Sequence, residues 1–322
     1  MKYLVIGGAG FIGSYCVDYL LSLPCTSYVC VYDNFSSGKM WHLKEHIANP
    51  KLNVISSDIY NDDIYQAAKN IDTSFLFAAN PDIAKAVTQP DIDFKEGTAL
   101  TQITLEALRK AGCSRLLYAS GSGVYGDTHQ IEVSENYSPM EPVSTYGASK
   151  LGCEALISSY CHMFGLKASV FRFGNVVGGR QTHGVAYDFI KRLRVEPNGL
   201  KILGDGTQSK PYVYITDVIN AMALIINSQH KPFDVYNVAP KDYTCVTEIA
   251  NMVLDEMFIP RSSCQLNYGS GSKGWKGDVP IVRLNTDKIR NLGWSNQFSS
   301  AEAIRKSIRE MLVNAESLYA KS

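Results

Sequence analysis

Tyr146 and Lys150 stand four residues apart in a stretch, 143–164, whose apolar spacing predicts a helix. At i and i+4 both side chains leave the same helix face. An ammonium held beside a phenol favours the phenolate, so the pair suits general-base chemistry on a hydroxyl. The YxxxK spacing also arises by chance and needs company. It has company near the start of the chain, in GGAGFIG at 7–13, which puts Gly7, Gly10 and Gly13 at GxxGxxG spacing directly after an apolar run and at the opening of an amphipathic one. Glycines there allow a tight turn and close backbone approach to a pyrophosphate, which a helix N-terminus also favours through its N–H groups and dipole. Asp33 follows about 20 residues beyond the last glycine, at the end of the second apolar run, where a carboxylate accepts hydrogen bonds from adenosine ribose hydroxyls and repels a 2′-phosphate. The dinucleotide expected is therefore NAD, whose oxidised nicotinamide would also favour the phenolate. Asp33 could alternatively do no more than open the turn DNFSSGK.

The elements that must position these groups alternate in type. Strands are expected at 2–7, 28–33, 52–56, 74–78, 115–119 and 168–173, and helices at 11–22, 64–69, 94–111 and 143–164. Short apolar runs such as YLVI, YVCVY and FLFAA are what parallel strands buried on both faces look like. The fold class expected is α/β, a doubly wound parallel sheet of the Rossmann kind followed by a smaller C-terminal α/β domain. The first domain is placed at 1–175 with a return around 211–240, and the second mainly at 176–210 and 241–298, with a last helix at 301–319. Past Asn175 the pattern is less regular, with helices expected at 187–194, 218–227 and 246–256, an extended piece at 201–203 and a loop at 268–277.

Composition narrows the classes. The 322 residues include 45% hydrophobic and 19% charged side chains, and 31 basic residues balance 31 acidic ones. No global field favours nucleic acid or an anionic membrane, so an anionic ligand must be held locally. The eight cysteines show no CxxC pair or metal-type spacing and lie mostly in apolar segments, as reduced core thiols of a cytoplasmic protein would; no metal is expected. No stretch reaches the ~18 apolar residues of a membrane span.

With these motifs assembled, the sequence resembles the extended short-chain dehydrogenase/reductase family and, within it, the NAD-dependent epimerase/dehydratase group acting on nucleotide sugars. The resemblance runs through GGAGFIG, FAANPDI (77–83), ASGSGVYGD (119–127), YGASK (146–150), FRFGNVVG (171–178), LGDGTQSKPYVYITDV (203–218) and GWKGDV (274–279), the last two most like UDP-hexose 4-epimerases of the archaeal type. It implies that Tyr146 removes the 4-hydroxyl proton of a UDP-sugar while hydride leaves carbon 4, and that Lys150 binds the nicotinamide ribose. It further implies cofactor contacts from Gly7, Gly10, Phe11, Ile12, Gly13, Asp33, Asn34, Asp58, Ile59, Ala78 and Ala79. Substrate contacts are implied at Ser120, Ser122, Asn175, Val185, Tyr187, Lys210 and Lys273, with Asp278 on the uridine ribose. Read without the family, Asp58 is equally a turn aspartate, Lys210 and Lys273 are solvated surface charges, and Trp275 anchors its own loop. His183 is read as a nucleotide contact or plain surface, and Cys161–His162 as helix packing. The helices at 94–111 and 143–164 imply a homodimer through a four-helix bundle.

Three positions depart from the resemblance. Gly121 stands where relatives carry a Ser or Thr bonded to the reacting hydroxyl, leaving Ser122, made adaptable by Gly121 and Gly123, as the expected substitute. Ser122 could equally bond local backbone. Leu76 replaces a frequent histidine, and Gly97 an asparagine that braces the active-site helix. Ser122 and Gly123 also occupy the places of the acid and base that 4,6-dehydratases and decarboxylases use, which favours 4-epimerisation. A 5,6-eliminating dehydratase acting on UDP-N-acetylglucosamine stays open, as does an NAD-binding regulator that has lost turnover. Asp33 weakens a reading as an NADPH-consuming reductase.

Overall fold

The computed structural model describes residues 1–60, 64–228 and 231–319, with the side chains at 227–228 and 315–319 excepted. Its strands are β1 (Lys2–Ile6), β2 (Tyr28–Asp33), β3 (Leu52–Ser56), β4 (Thr73–Leu76), β5 (Arg115–Gly121), β6 (Lys167–Phe173), β7 (Asn175–Val177), β8 (Gly199–Ile202), β9 (Ser209–Lys210), β10 (Tyr212–Tyr214), β11 (Phe233–Val238), β12 (Thr244–Cys245) and β13 (Gln265–Tyr268). The α-helices are α1 (Phe11–Ser22), α2 (Ile64–Ala68), α3 (Leu100–Ala111), α4 (Thr145–Phe164), α5 (Val185–Val195), α6 (Ile215–Ser228), α7 (Val246–Glu256), α8 (Asp287–Arg290) and α9 (Ser300–Tyr319). The helix expected at 94–111 divides: Phe94–Ala99 is a π-turn, and only the remainder is α-helical.

Seven strands form one sheet in the order β11-β6-β5-β4-β1-β2-β3, and the pairs from β5 through β3 are parallel. This is the doubly wound α/β architecture expected. Chain order reverses between β1 and β4, so the connections that leave their paired carboxyl ends turn to opposite faces of the sheet and border the crevice in which such sheets bind ligands. The alternation of strand side chains sends Leu4, Ile6, Cys30, Tyr32, Leu116 and Tyr118 to a face covered by Leu105 and Leu108 of α3 and Cys153 and Ile157 of α4. Burial of that apolar layer holds α4 against the sheet beside the end of β5.

The chain forms two compact units. The first comprises Met1–Val124, Thr145–Arg172 and Ile219–Tyr236; the second comprises Tyr125–Ser144, Phe173–Val218 and Asn237–Ser322. In the second, β7 pairs β10 and β8 pairs β13, both parallel, while β9 pairs β12 antiparallel; α5, α7 and α9 pack together. Among the described residues no helix is long and apolar enough to cross a membrane, no three potential ligands gather as a metal site, and all eight cysteines are free thiols.

Candidate functional site

The glycine loop leaves β1 and enters α1 within a space that admits no side chain. Gly7 has φ +78°, and a Cβ there would lie 2.6 Å from the backbone nitrogen of Ala78; a Cβ at Gly13 would overlap the Gly7 carbonyl oxygen. A Cβ at Gly10 would meet only the Gly7 carbonyl oxygen, at 3.1 Å, so the loop keeps one open flank. Gly10 is the N-cap of α1, where no side chain caps the helix and no acid occupies the first turn. The N–H groups around Phe11, Ile12 and Gly13 thus form a positive end suited to a pyrophosphate. These features fit a dinucleotide.

Asp33 closes β2 and is buried. Its carboxylate accepts the Ala9 N–H at 2.9 Å and the Phe35 N–H at 2.8 Å. Burial raises its carboxyl above the ordinary value, opposed by the N–H groups of Phe35, Ala9 and Gly10. Asp33 therefore opens the turn, as one reading had it, and ties that turn to the glycine loop; carboxylate oxygens retain lone pairs for a ribose. Asn34 donates to Asp58 at 2.8 Å, and Asp58 also accepts the Tyr60 N–H at 2.9 Å. Ile59 is buried beside them. Ala78 and Ala79 follow β4, with Ala78 against Gly7.

Tyr146 and Lys150 lie in the first turns of α4. Lys150 is buried and donates to the Ala119 carbonyl at 2.8 Å, with its ammonium 4.9 Å from the Tyr118 ring centre and 5.6 Å from that of Tyr146. Burial pushes the Tyr118 phenol well up, so the ammonium lies between a neutral phenol beneath and the half-buried Tyr146. The strand end beside them is spacious: a Cβ on Gly121 would meet nothing within 4 Å. The two flanking serines differ. Ser120 is buried and donates to Glu154 at 2.5 Å, where Glu154 also holds Arg172 at 2.6 Å in an ion pair whose two side chains are each 4% exposed. Ser122 opens a 3-10 turn, Ser122–Tyr125, and its hydroxyl has no hydrogen-bond partner among the described residues. The local backbone bond considered for it does not form.

In the second unit Asn175 begins β7 opposite Tyr212, whose phenol burial pushes up while a hydrogen bond with Asn175 pulls it back. Lys210 donates to Asp278 at 2.7 Å, and Asp278 also accepts the Gly274 N–H at 3.0 Å. Asn175, Lys210 and Asp278 thus share one neighbourhood around Tyr212, whereas Lys273 is exposed. Val185 and Tyr187 open α5 after Gly184, whose φ of +104° turns the chain. Trp275 folds over Gly277, where an added Cβ would meet its ring at 2.6 Å, the loop-anchoring role open to it from sequence.

Sequence reasoning missed Asp93, which is buried and accepts hydrogen bonds from Asn80 at 2.9 Å and Thr145 at 2.7 Å. A signal was available: Thr145 and Ser149 repeat the i, i+4 spacing one residue ahead of Tyr146 and Lys150.

The chain is similar to known proteins over most of its length. Residues 3–239 match the family model described as the NAD dependent epimerase/dehydratase family. A Methanocaldococcus jannaschii protein provisionally named UDP-glucose 4-epimerase is 30% identical over 97% of this chain and 98% of its own. The crystal structure of a UDP-galactose 4-epimerase is 34% identical, with a TM-score of 0.86 over 98% of this chain and 99% of that one. DesIV, a dTDP-glucose 4,6-dehydratase from Streptomyces venezuelae solved with NAD and TYD, is 26% identical, with a TM-score of 0.89 over 98% of each chain. By the glycine cradle, the Tyr146–Lys150 helix and a match spanning most of its length, the chain belongs to the NAD-dependent epimerase/dehydratase family, with NAD as its cofactor.

Proposed function

We propose that this protein is a nucleotide-sugar 4-epimerase interconverting the gluco and galacto forms of a UDP-hexose or its N-acetylated counterpart. The carrying observation is the end of β5, where Gly121 is open, the Ser122 hydroxyl has no partner among the described residues and Gly123 lies against Gly147 of α4, so none of the three residues offers a carboxylate. Proton removal from one hydroxyl needs one base, which Tyr146 supplies. Elimination of water needs a further acid and base, and the carboxylate beneath this strand end, Glu154, is engaged by Arg172 and Ser120.

NAD held by the first unit would supply a reversible acceptor for the hydride of carbon 4. Tyr146 takes the 4-hydroxyl proton as general base and later gives it back to the 4-keto oxygen. Lys150 holds positive charge at the Tyr146 ring and binds the nicotinamide ribose. Ser122 donates to the reacting oxygen from beside Gly121. The first unit holds the cofactor through Gly7, Gly10, Phe11, Ile12, Gly13, Asp33, Asn34, Asp58, Ile59, Ala78 and Ala79. In the second, Asn175, Val185, Tyr187, Lys210 and Lys273 receive the nucleotide diphosphate, and Asp278 its ribose; lysines give point-charge contacts to phosphate. Two copies pair through α3 and α4, where Met163 and Phe164 are exposed, and sedimentation velocity tests this.

A dehydratase is the second reading, supported by the likeness to DesIV. Incubation with UDP-glucose and UDP-N-acetylglucosamine, followed by proton NMR, separates them. A new axial 4-hydroxyl epimer is expected. Loss of water instead makes the chain a dehydratase, and NAD binding without turnover of either sugar makes it a regulator.

A further inference from the structure

Gly97 has no side chain with which to hold α4, yet α4 is held. The π-turn Phe94–Ala99 brings Gly97 so close to this helix that a Cβ there would overlap the Ser149 hydroxyl. That hydroxyl fills the space, donates to the Asp93 carbonyl at 2.6 Å and meets the Thr98 hydroxyl at 3.0 Å. The Asp93 carboxylate takes a hydrogen bond on each oxygen, from Thr145 at 2.7 Å and from Asn80 at 2.9 Å. Asn80 is itself fixed by donating to the Asp82 carbonyl and accepting the Asp82 N–H. It directly follows Ala78 and Ala79, the segment against the glycine loop.

The burial is deep: Asp93 is 2% exposed, Asn80 5% and Ser149 8%. A buried carboxylate served by neutral donors is an expensive way to fill space, and an apolar side chain packs there at less cost. What it provides is direction. Thr145 and Ser149 form one i, i+4 stripe of α4, and Tyr146 and Lys150 form the next, about 100° further round the axis. Gripping the first stripe at both ends fixes the rotation of the helix and so the aim of the second. π-turns inside helical segments recur at functional sites, and this one puts the Asp93 carbonyl within reach of Ser149.

We propose that Asp93, with Thr145 and Ser149, is the positioning brace of the catalytic helix, tying the segment that follows β4 to the stripe beside Tyr146 and Lys150. The role rests on the reading of Tyr146 as the base. Misplacing a reacting group by about 1 Å costs up to about a hundredfold in rate, so small rotations of α4 register in kcat.

Thr145→Val keeps shape and removes one hydroxyl; Ser149→Ala removes the other. Each lowers kcat for UDP-galactose about tenfold, with KM, NAD content and melting temperature near wild type. Thr145→Ser retains kcat. A second readout needs no substrate: amide hydrogen exchange in the first two turns of α4 rises in Thr145→Val and Ser149→Ala and stays at the wild-type rate in Thr145→Ser. If no sugar turns over, this exchange alone decides, and the failure belongs to the proposed reaction. The brace is overturned if kcat and the exchange of α4 stay at wild-type values in both variants, if Thr145→Ser loses as much as Thr145→Val, or if kcat falls only in step with lost NAD or lost fold.

Discussion

Two glycine-rich turns leave parallel strands of the same sheet, one after β1 and one at the end of β5, and they carry glycine for opposite reasons. At Gly7 and Gly13 every added Cβ meets backbone, so the loop is glycine by steric necessity. At Gly121 an added Cβ meets nothing within 4 Å. The first loop is packed against backbone, so its glycines at 7 and 13 are dictated by geometry. The second leaves open space for a side chain, and on the proposed reading Ser122 is the neighbour that presents a hydroxyl there. A glycine in a motif is thus evidence of constraint only when the space around it is full.

The contrast is easiest to break at Gly13. Gly13→Ala forces the Gly7 carbonyl aside and weakens NAD binding by about a hundredfold or more, since about 3 kcal/mol corresponds to that factor; titration calorimetry with NAD checks this, and wild-type affinity would remove the steric argument. Tyr146→Phe comes next, lowering turnover by about 10²–10⁴-fold, the usual range for a general acid–base, while NAD still binds. Ser122→Ala lowers kcat by about tenfold, the worth of one modest hydrogen bond to a reacting oxygen. Gly121→Ser added to Ser122→Ala restores part of that loss without lowering the melting temperature by more than about 2 °C, because the space is already open. A double variant as impaired as the single one would mean that position 121 cannot present a hydroxyl to the site.

The smallest effect concerns pH. Burial raises the Asp33 carboxyl, so the folded chain holds that proton more tightly than the unfolded chain does. As pH rises from the ordinary carboxylate value through the raised folded value, this group's contribution to folding stability declines. The ionised form is the one that accepts ribose hydroxyls, so NAD affinity is complete above the raised value and declines as pH falls through it. Asp33→Asn flattens that decline. An NAD affinity equally pH-dependent in Asp33→Asn would show that another group titrates.

Much of the first unit was legible because local rules and tertiary structure agree there. β2 and α1 fall at the residues expected, and β1, β4, β5 and α4 differ by a few residues at their ends. The π-turn at Phe94–Ala99 was not legible, because one extra residue per turn leaves apolar periodicity almost intact over so short a span. Asp93 was missed for a related reason: its partners Asn80, Thr145 and Ser149 are distant in sequence, and only the fold brings them together. The same holds for Ser120, which shares a strand end with Ser122 but is directed by the strand alternation into the Glu154–Arg172 pair. Lys210 and Asp278, read separately as phosphate and ribose contacts, are an ion pair before any ligand is considered.

The central claim is reversible oxidation at carbon 4 with the hydrogen kept on the same molecule. UDP-glucose carrying deuterium at carbon 4, incubated with the purified protein and examined by NMR, tests it directly. The prediction is UDP-galactose with deuterium retained at carbon 4, and no such product from Tyr146→Phe. Product with solvent hydrogen at carbon 4, or deuterium recovered at carbon 6 of a dehydrated sugar, would contradict it.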